Sequence, residues 1–194
     1  LPLFLKVGLK KIILGFKWAP TKGYFGIFPM IVSSFLVTIG ALIIGAPMGL
    51  SCAIYLSEYS GKKMKMFLKP ALELLAGIPS VVYGFLGVIY IVPLVRNYLG
   101  GSGFSLISTS LILGVMILPT IISISFDAIV SVPKTYREGS FAMGATKWQT
   151  IYKVILPSAK SGILASFILG MGRAIGETMA VIMIAGNALK IPTS

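Results

Sequence analysis

Long apolar stretches alternate along this chain with short connections that are basic or glycine-rich. No charged residue occurs from Ile27 to Ser57. About 20 helical residues cross a hydrocarbon core, so this stretch predicts a first spanning helix with length to spare for tilting. Pro47, with Gly45 and Gly49 beside it, predicts a kink. A second span is expected over about 70–95, interrupted by Gly77, Pro79, Gly84 and Pro93. Such breaks survive in lipid only where protein or water satisfies the freed backbone groups, which places this helix inside a bundle or along a cavity. Its small residues Ala76, Gly77, Ser80 and Gly84 equally suit close helix packing. LGGSG makes an external turn, a third span follows over about 104–126 and ends near a solvated Asp127, and a fourth covers about 161–189. Residues 1–26 mix Lys6, Lys10, Lys11, Lys17 and Lys22 with apolar positions, too interrupted to span. They predict an interfacial segment anchored by Trp18, Tyr24 and Phe25.

The long polar interruption runs from Pro133 to Pro157. Its spacing predicts two short helices on either side of Gly144, with Pro133 as a start signal and Arg137 and Glu138 keeping the first turn wet. Phe141, Ala145, Trp148 and Tyr152 recur at offsets of three and four, making an aromatic-rich face. That face fits a docking surface for a partner. It equally fits an interfacial helix with Trp148 and Tyr152 at the headgroups and Lys147 and Lys153 on the polar side.

Composition narrows the class. Of 194 residues 56% are hydrophobic and 11% charged, with a mean hydropathy of +0.95, which excludes disorder and an ordinary soluble domain. Seventeen basic residues stand against five acidic ones, for a net charge of +12. They are dispersed between the spans, where they orient helices and meet anionic lipid, and form no basic stripe for nucleic acid. Lys62, Lys63, Lys65 and Lys69 in the connection SEYSGKKMKMFLKP place that end in the cytoplasm, and the 131–160 loop with it. The N-terminal lysines then fall outside. With one cysteine, Cys52, and no histidine, the chain offers neither a disulfide nor a zinc or iron-sulfur site nor histidine-based acid-base catalysis.

The chemically informative residues are Arg173 and Glu177, with Thr178 beside them, near the middle of the fourth expected span. An ionisable side chain at the bilayer centre costs roughly 2.5–3.5 kcal/mol on insertion scales, so neither should face lipid. Residues four apart share a helix face and can pair or flank one cavity. Two readings stand side by side: a buried ion pair that pins packing, and a polar gate for an anion, in which the guanidinium fork suits phosphate oxygens.

Glu138, Gly144, Leu156 and Pro157 stand at the intervals of the EAA loop, and this stretch resembles that cytoplasmic loop of ATP-binding-cassette (ABC) importer permeases. The chain has Gly139 and Ser140 where that pattern has alanines, and Val154 where it has isoleucine. Three stretches together, ELLAGIPSVVYG at 73–84, EGSFAMGATKWQTIYKVILPSAKSGI at 138–163 and GRAIGETMAV at 172–181, are similar to the C-type membrane subunits of the bacterial phosphate-specific transport system. The resemblance implies an all-α, type I importer permease, a polytopic helix bundle with about four spans here of about six expected, so that the chain is a fragment lacking the first and last. It implies a bacterial or archaeal cytoplasmic membrane location. The implied partners are an A-type permease subunit, two ATPase subunits and an extracytoplasmic phosphate-binding protein. Carried over residue by residue, it assigns Arg173, Glu177 and Thr178 to the substrate path. It assigns Glu138, Gly139, Ser140, Phe141, Gly144, Ala145, Trp148, Leu156 and Pro157 to ATPase docking. The chain has no G-x-x-x-x-G-K-[ST] phosphate loop, so ATP and magnesium belong to the ATPase partner and the chain itself carries no cofactor. Rival readings are a permease of this architecture for sulfate or molybdate, a proton-coupled transporter using Glu177, and an intramembrane enzyme, for which no nucleophile paired to a base is present.

Overall fold

The computed structural model describes residues 9–16, 18–19 and 24–185. A short helix α1 (Leu9–Leu14) leads into a minimal antiparallel pair, β1 (Trp18–Ala19) on β2 (Tyr24–Phe25), with Trp18 opposite Phe25 and Ala19 opposite Tyr24. The chain then enters α2 (Phe28–Tyr59). The remaining elements are α3 (Lys62–Ala76), α4 (Ser80–Leu99), α5 (Leu106–Val130), α6 (Lys134–Ala142), α7 (Lys147–Ser158), α8 (Lys160–Gly176) and α9 (Met179–Ile184). Of the expected N-terminal anchors, Tyr24 is exposed, while the Trp18 and Phe25 side chains and Lys6, Lys17 and Lys22 lie outside the described residues, as does the expected end of the fourth span at 189.

Helix α5 is the axis of the bundle. Leu113, Met116, Ile117, Ile121 and Ile129 are fully buried along it because α2, α3, α4, α8 and α9 all pack on it. Two apolar clusters result. One joins Val37, Ala41, Ile117, Ala180 and Ile184, and the other joins Ala53, Leu56, Ile129, Ile151, Ile155 and Ile163. In lipid little hydrophobic force drives helices together, so close approach of backbones must supply dispersion contacts. Gly45 provides it on α2, where a Cβ would stand 2.9 Å from Gly114 O, and Gly170 on α8, where one would stand 3.0 Å from Ile121 Cγ1.

A polar contact pins α8 to α5. Ser166 Oγ donates to Ile163 O at 2.7 Å, which leaves the Ser125 hydroxyl to donate to Ser166 Oγ at 2.8 Å. The two substitutions are therefore unequal. Ser166→Ala strands a buried Ser125 hydroxyl and is expected to cost about 1–3 kcal/mol. Ser125→Ala leaves Ser166 bonded within its own helix and costs less. Thermal unfolding in detergent reads the difference; equal losses contradict it.

The second expected span differs from the structure. The lysine-rich stretch expected as a short connection is helix α3, built from the good helix formers Lys, Met, Leu and Ala. Leu68 and Leu72, one turn apart, turn partly inward beside Phe126. Helix α3 stops at Ala76 because Ile78 precedes Pro79, which disfavours helical backbone there, and α4 restarts at Ser80. Asp127, expected to be merely solvated, is 3.0 Å from Lys69 Nζ. That contact raises the Lys69 pKa above 10.5, through the hydrogen bond first and the charge second. The pair's small contribution is present in full below that ordinary value and fades only as pH rises through the raised one. Both side chains are half-exposed, so it weighs little.

The fourth expected span is also not one helix. Helix α7 passes into α8 with a bend of 69° at Ala159. Helix α8 then ends at Gly176, and Glu177 takes an extended conformation with φ −82° and ψ 117° before α9 begins. Gly172 and Gly176 offer the weakest helix propensity in this stretch after proline. No neighbouring atom lies within 4 Å of where their Cβ atoms would be, so nothing packs against the helix at these two positions.

Candidate functional site

The extended Glu177 overturns the shared-face geometry expected of Arg173 and Glu177, because an i,i+4 relation needs an unbroken helix. Among the described residues no ion pair joins the two. Arg173, in the last turn of α8, reaches α5 and α3: Nη1 donates to Thr120 Oγ1 at 3.1 Å and Nη2 to Ala76 O at 2.9 Å. Ala76 O is a free carbonyl at the end of α3, and the break at Gly77–Pro79 is what exposes it. The guanidinium is thus partly buried and held by neutral oxygens alone. Its full positive charge stays uncompensated by any carboxylate among the described residues.

Glu177 and Thr178 line a different space, a cavity of about 390 Å³ between α2 and the α8–α9 break. Ser33, Ser34 and Thr38 on α2 line it too, opposite Ala174, Val181 and Ile182. The Thr38 hydroxyl is already spent on Ser34 O at 2.8 Å. Among the described residues the Glu177 carboxylate has no hydrogen-bond partner, while its backbone N–H donates to Ala174 O at 3.4 Å. The three residues assigned to one path by the motif therefore sit on two sides of α8.

The polar loop forms α6 and α7, joined at Gly144, whose φ of +79° lies in the left-handed region open to glycine. The second helix starts with a capping box. Thr146 Oγ1 accepts from Gln149 N at 3.3 Å and Gln149 Oε1 accepts from Thr146 N at 2.9 Å. Thr-Lys-Trp-Gln at 146–149 is that signature. Ile151 and Ile155 are buried below, whereas Glu138, Phe141, Trp148, Tyr152 and Pro157 are exposed, with Ala145 and Leu156 intermediate. Met143, not singled out by periodicity, is 88% exposed. Ser140, standing where the family pattern has alanine, clips the two helices together through Thr150 Oγ1 at 2.9 Å, and Gly139 has open space around it.

Arg137 is not wet as the pattern predicts. Its Nη2 donates to Glu58 Oε1 at 2.8 Å and to Ile129 O at 3.0 Å, and its Nη1 to Val132 O at 2.7 Å. It satisfies carbonyls at the end of α5 while pairing with the end of α2. Sequence offered no signal for this contact, since Glu58 and Arg137 are 79 positions apart.

Comparison with known proteins places these features. Residues 45–193 match the family described as "Binding-protein-dependent transport system inner membrane component". A Bacillus subtilis protein named as a probable ABC transporter permease is 46% identical over 98% of this chain and 63% of its own length. A phosphate transport system permease protein of Haemophilus influenzae is 35% identical over 91% of this chain and 62% of its own. One of Pasteurella multocida is 33% identical, again over 91% and 62%. The chain thus spans less than two thirds of the length of these relatives. Among solved structures, inward-facing MetNI, a methionine ABC transporter, superposes with a TM-score of 0.58 at 22% identity, covering 78% of this chain and 68% of that one.

Proposed function

Since the chain belongs to the family of binding-protein-dependent transport system inner membrane components, with the all-helical fold of an ABC importer permease, we propose that it forms half of an ATP-driven import path for inorganic phosphate. The carrying observation is Arg173: a cation partway along the spans, with only neutral acceptors around it, lowers the barrier for an anion in transit. Two oxygens already hold it, so it attracts phosphate without enclosing it, which suits passage better than tight binding. The Haemophilus influenzae and Pasteurella multocida relatives are named for phosphate transport, and the sulfate or molybdate alternative gains no observation of its own.

In this reading Glu138, Phe141, Gly144, Trp148 and Pro157, which are exposed, together with the half-buried Ala145 and Leu156, seat a separate ATPase subunit on the cytoplasmic side. That ATPase binds ATP and magnesium. A second permease subunit completes the path, and an extracytoplasmic binding protein delivers phosphate. Closure of the ATPase dimer pushes α6 and α7, and the 69° bend between α7 and α8 turns that push into rocking of the helix that carries Arg173.

The test is uptake of labelled phosphate into vesicles holding the intact permease with its ATPase, partner subunit and binding protein. Uptake is expected only with ATP inside the ATPase compartment, and excess sulfate is expected not to compete. Uptake of sulfate in place of phosphate would change the substrate and keep the architecture. Uptake indifferent to ATP would restore the proton-coupled reading based on Glu177.

A further inference from the structure

Helix α6 buries no side chain of its own, so apolar packing does not hold it in the bundle. Its anchors are polar. Ser140 ties it to α7, and Arg137 ties it to the spans. The first turn of α7 reaches the same place, because Lys147 Nζ lies 4.2 Å from the ring centroid of Tyr59. Both helices of the loop thus converge on the last turn of α2, Tyr55–Tyr59, where the helix widens into a π-helical turn and brings Glu58 round to α6. The Glu58 and Arg137 side chains are only 11% and 20% exposed. A pair so shielded is screened little by salt, and removing one partner leaves the other's charge uncompensated. Among the described residues it is the one ion pair between the loop and a spanning helix.

We propose that Glu58 and Arg137 are positioning residues for the transport cycle, forming the strut through which displacement of α6 by a docked ATPase reaches α2 and α5. The inference rests on the function proposed above and adds residues outside the docking motif to it. Arg137 grips two spanning helices at once: the carboxylate at the end of α2 and the carbonyls of Ile129 and Val132 at the end of α5. A push on α6 therefore moves the α2–α5 pair as one body. Without the pair, α6 loses its hold on the end of α2, and more of the ATP hydrolysed passes without moving the spans together.

The experiment compares wild type, Glu58→Gln, Arg137→Gln, the double variant and Arg137→Lys as intact reconstituted complexes. It reads ATPase retained, ATP hydrolysed and labelled phosphate imported. The informative quantity is phosphate imported per ATP, since loss of folded complex lowers both rates together. Each single substitution is expected to lower that ratio about fivefold or more, the range of ordinary coupling between sites. The double variant is expected to be no worse than either single, and Arg137→Lys, which keeps the charge facing Glu58, to recover part of the loss. An unchanged ratio in the isosteric Glu58→Gln, or losses that multiply in the double variant, would overturn the strut. A wild type that imports no phosphate on ATP would instead sink the function on which it rests.

Discussion

Arg173→Gln is expected to lower ATP-driven phosphate uptake at subsaturating phosphate roughly ten- to hundredfold, since a hydrogen bond to a charged group contributes about 1.5–3 kcal/mol and each 1.4 kcal/mol is tenfold. The amide keeps a donor and much of the volume but loses the positive charge, so the contrast isolates the attraction for an anion. Glutamine can still donate to either Thr120 Oγ1 or Ala76 O, the two groups Arg173 now holds. The helices should therefore stay together, with ATPase binding and basal hydrolysis retained. Arg173→Lys keeps the charge on one compact ammonium without the planar fork by which two nitrogens reach α5 and α3, and an intermediate loss is expected. Uptake is measured alongside recovery of the assembled complex. Unchanged uptake in Arg173→Gln would remove the anion path from this face of α8. Collapse of the complex would make Arg173 a packing residue that joins α8 to the end of α3.

Trp148→Ala is expected to weaken ATPase binding about thirtyfold or more while leaving the fold intact. The side chain is 60% exposed on the first turn of α7 and contributes little to the bundle. A large aromatic that becomes buried at the centre of an interface accounts for about 2 kcal/mol or more. Phe141 and Met143 stand exposed on the same loop, and apolar side chains of this kind are what a partner buries at the core of an interface. Binding of the ATPase to the detergent-solubilised permease measures the effect. The rival reading, in which Trp148 rests at the lipid headgroups, predicts unchanged affinity together with quenching of Trp148 fluorescence by brominated lipid. That signal is read in a Trp18→Phe background, because the chain has two tryptophans.

Much of the fold was legible because its cues are local. An uncharged run from Ile27 to Ser57 announces α2, and its hydropathy does not depend on what surrounds it. Gly144 announces the turn between α6 and α7 because few other residues take its φ of +79°. Even Thr146 and Gln149 spell out their reciprocal cap within four residues. The failures share a cause as well. Treating 161–189 as one helix assumed that apolar content implies continuity, and placing Arg173 against Glu177 followed from that. Nothing in GRAIGETMAV by itself says that the helix stops at Gly176. It stops after two glycines, Gly172 and Gly176, that have open space where their side chains would be. The lysines at 62–69 pointed to the membrane boundary and hid that Leu68 and Leu72 make the same stretch a helix seated on α5.

By itself the sequence determined that this is a chain of apolar helices for a membrane, with a polar loop that carries an aromatic face and with an arginine and a glutamate inside the last apolar stretch. Hydropathy, charge and turn chemistry act over a few residues, and a chain carries them in plain order. Only the tertiary structure decided what each charge meets: Arg173 on Thr120 and Ala76, Glu177 in the cavity beside α2, Arg137 on Glu58. Those partners lie tens of positions apart, and a side chain's electrostatic role is set by distance in space, which is fixed only when helices pack.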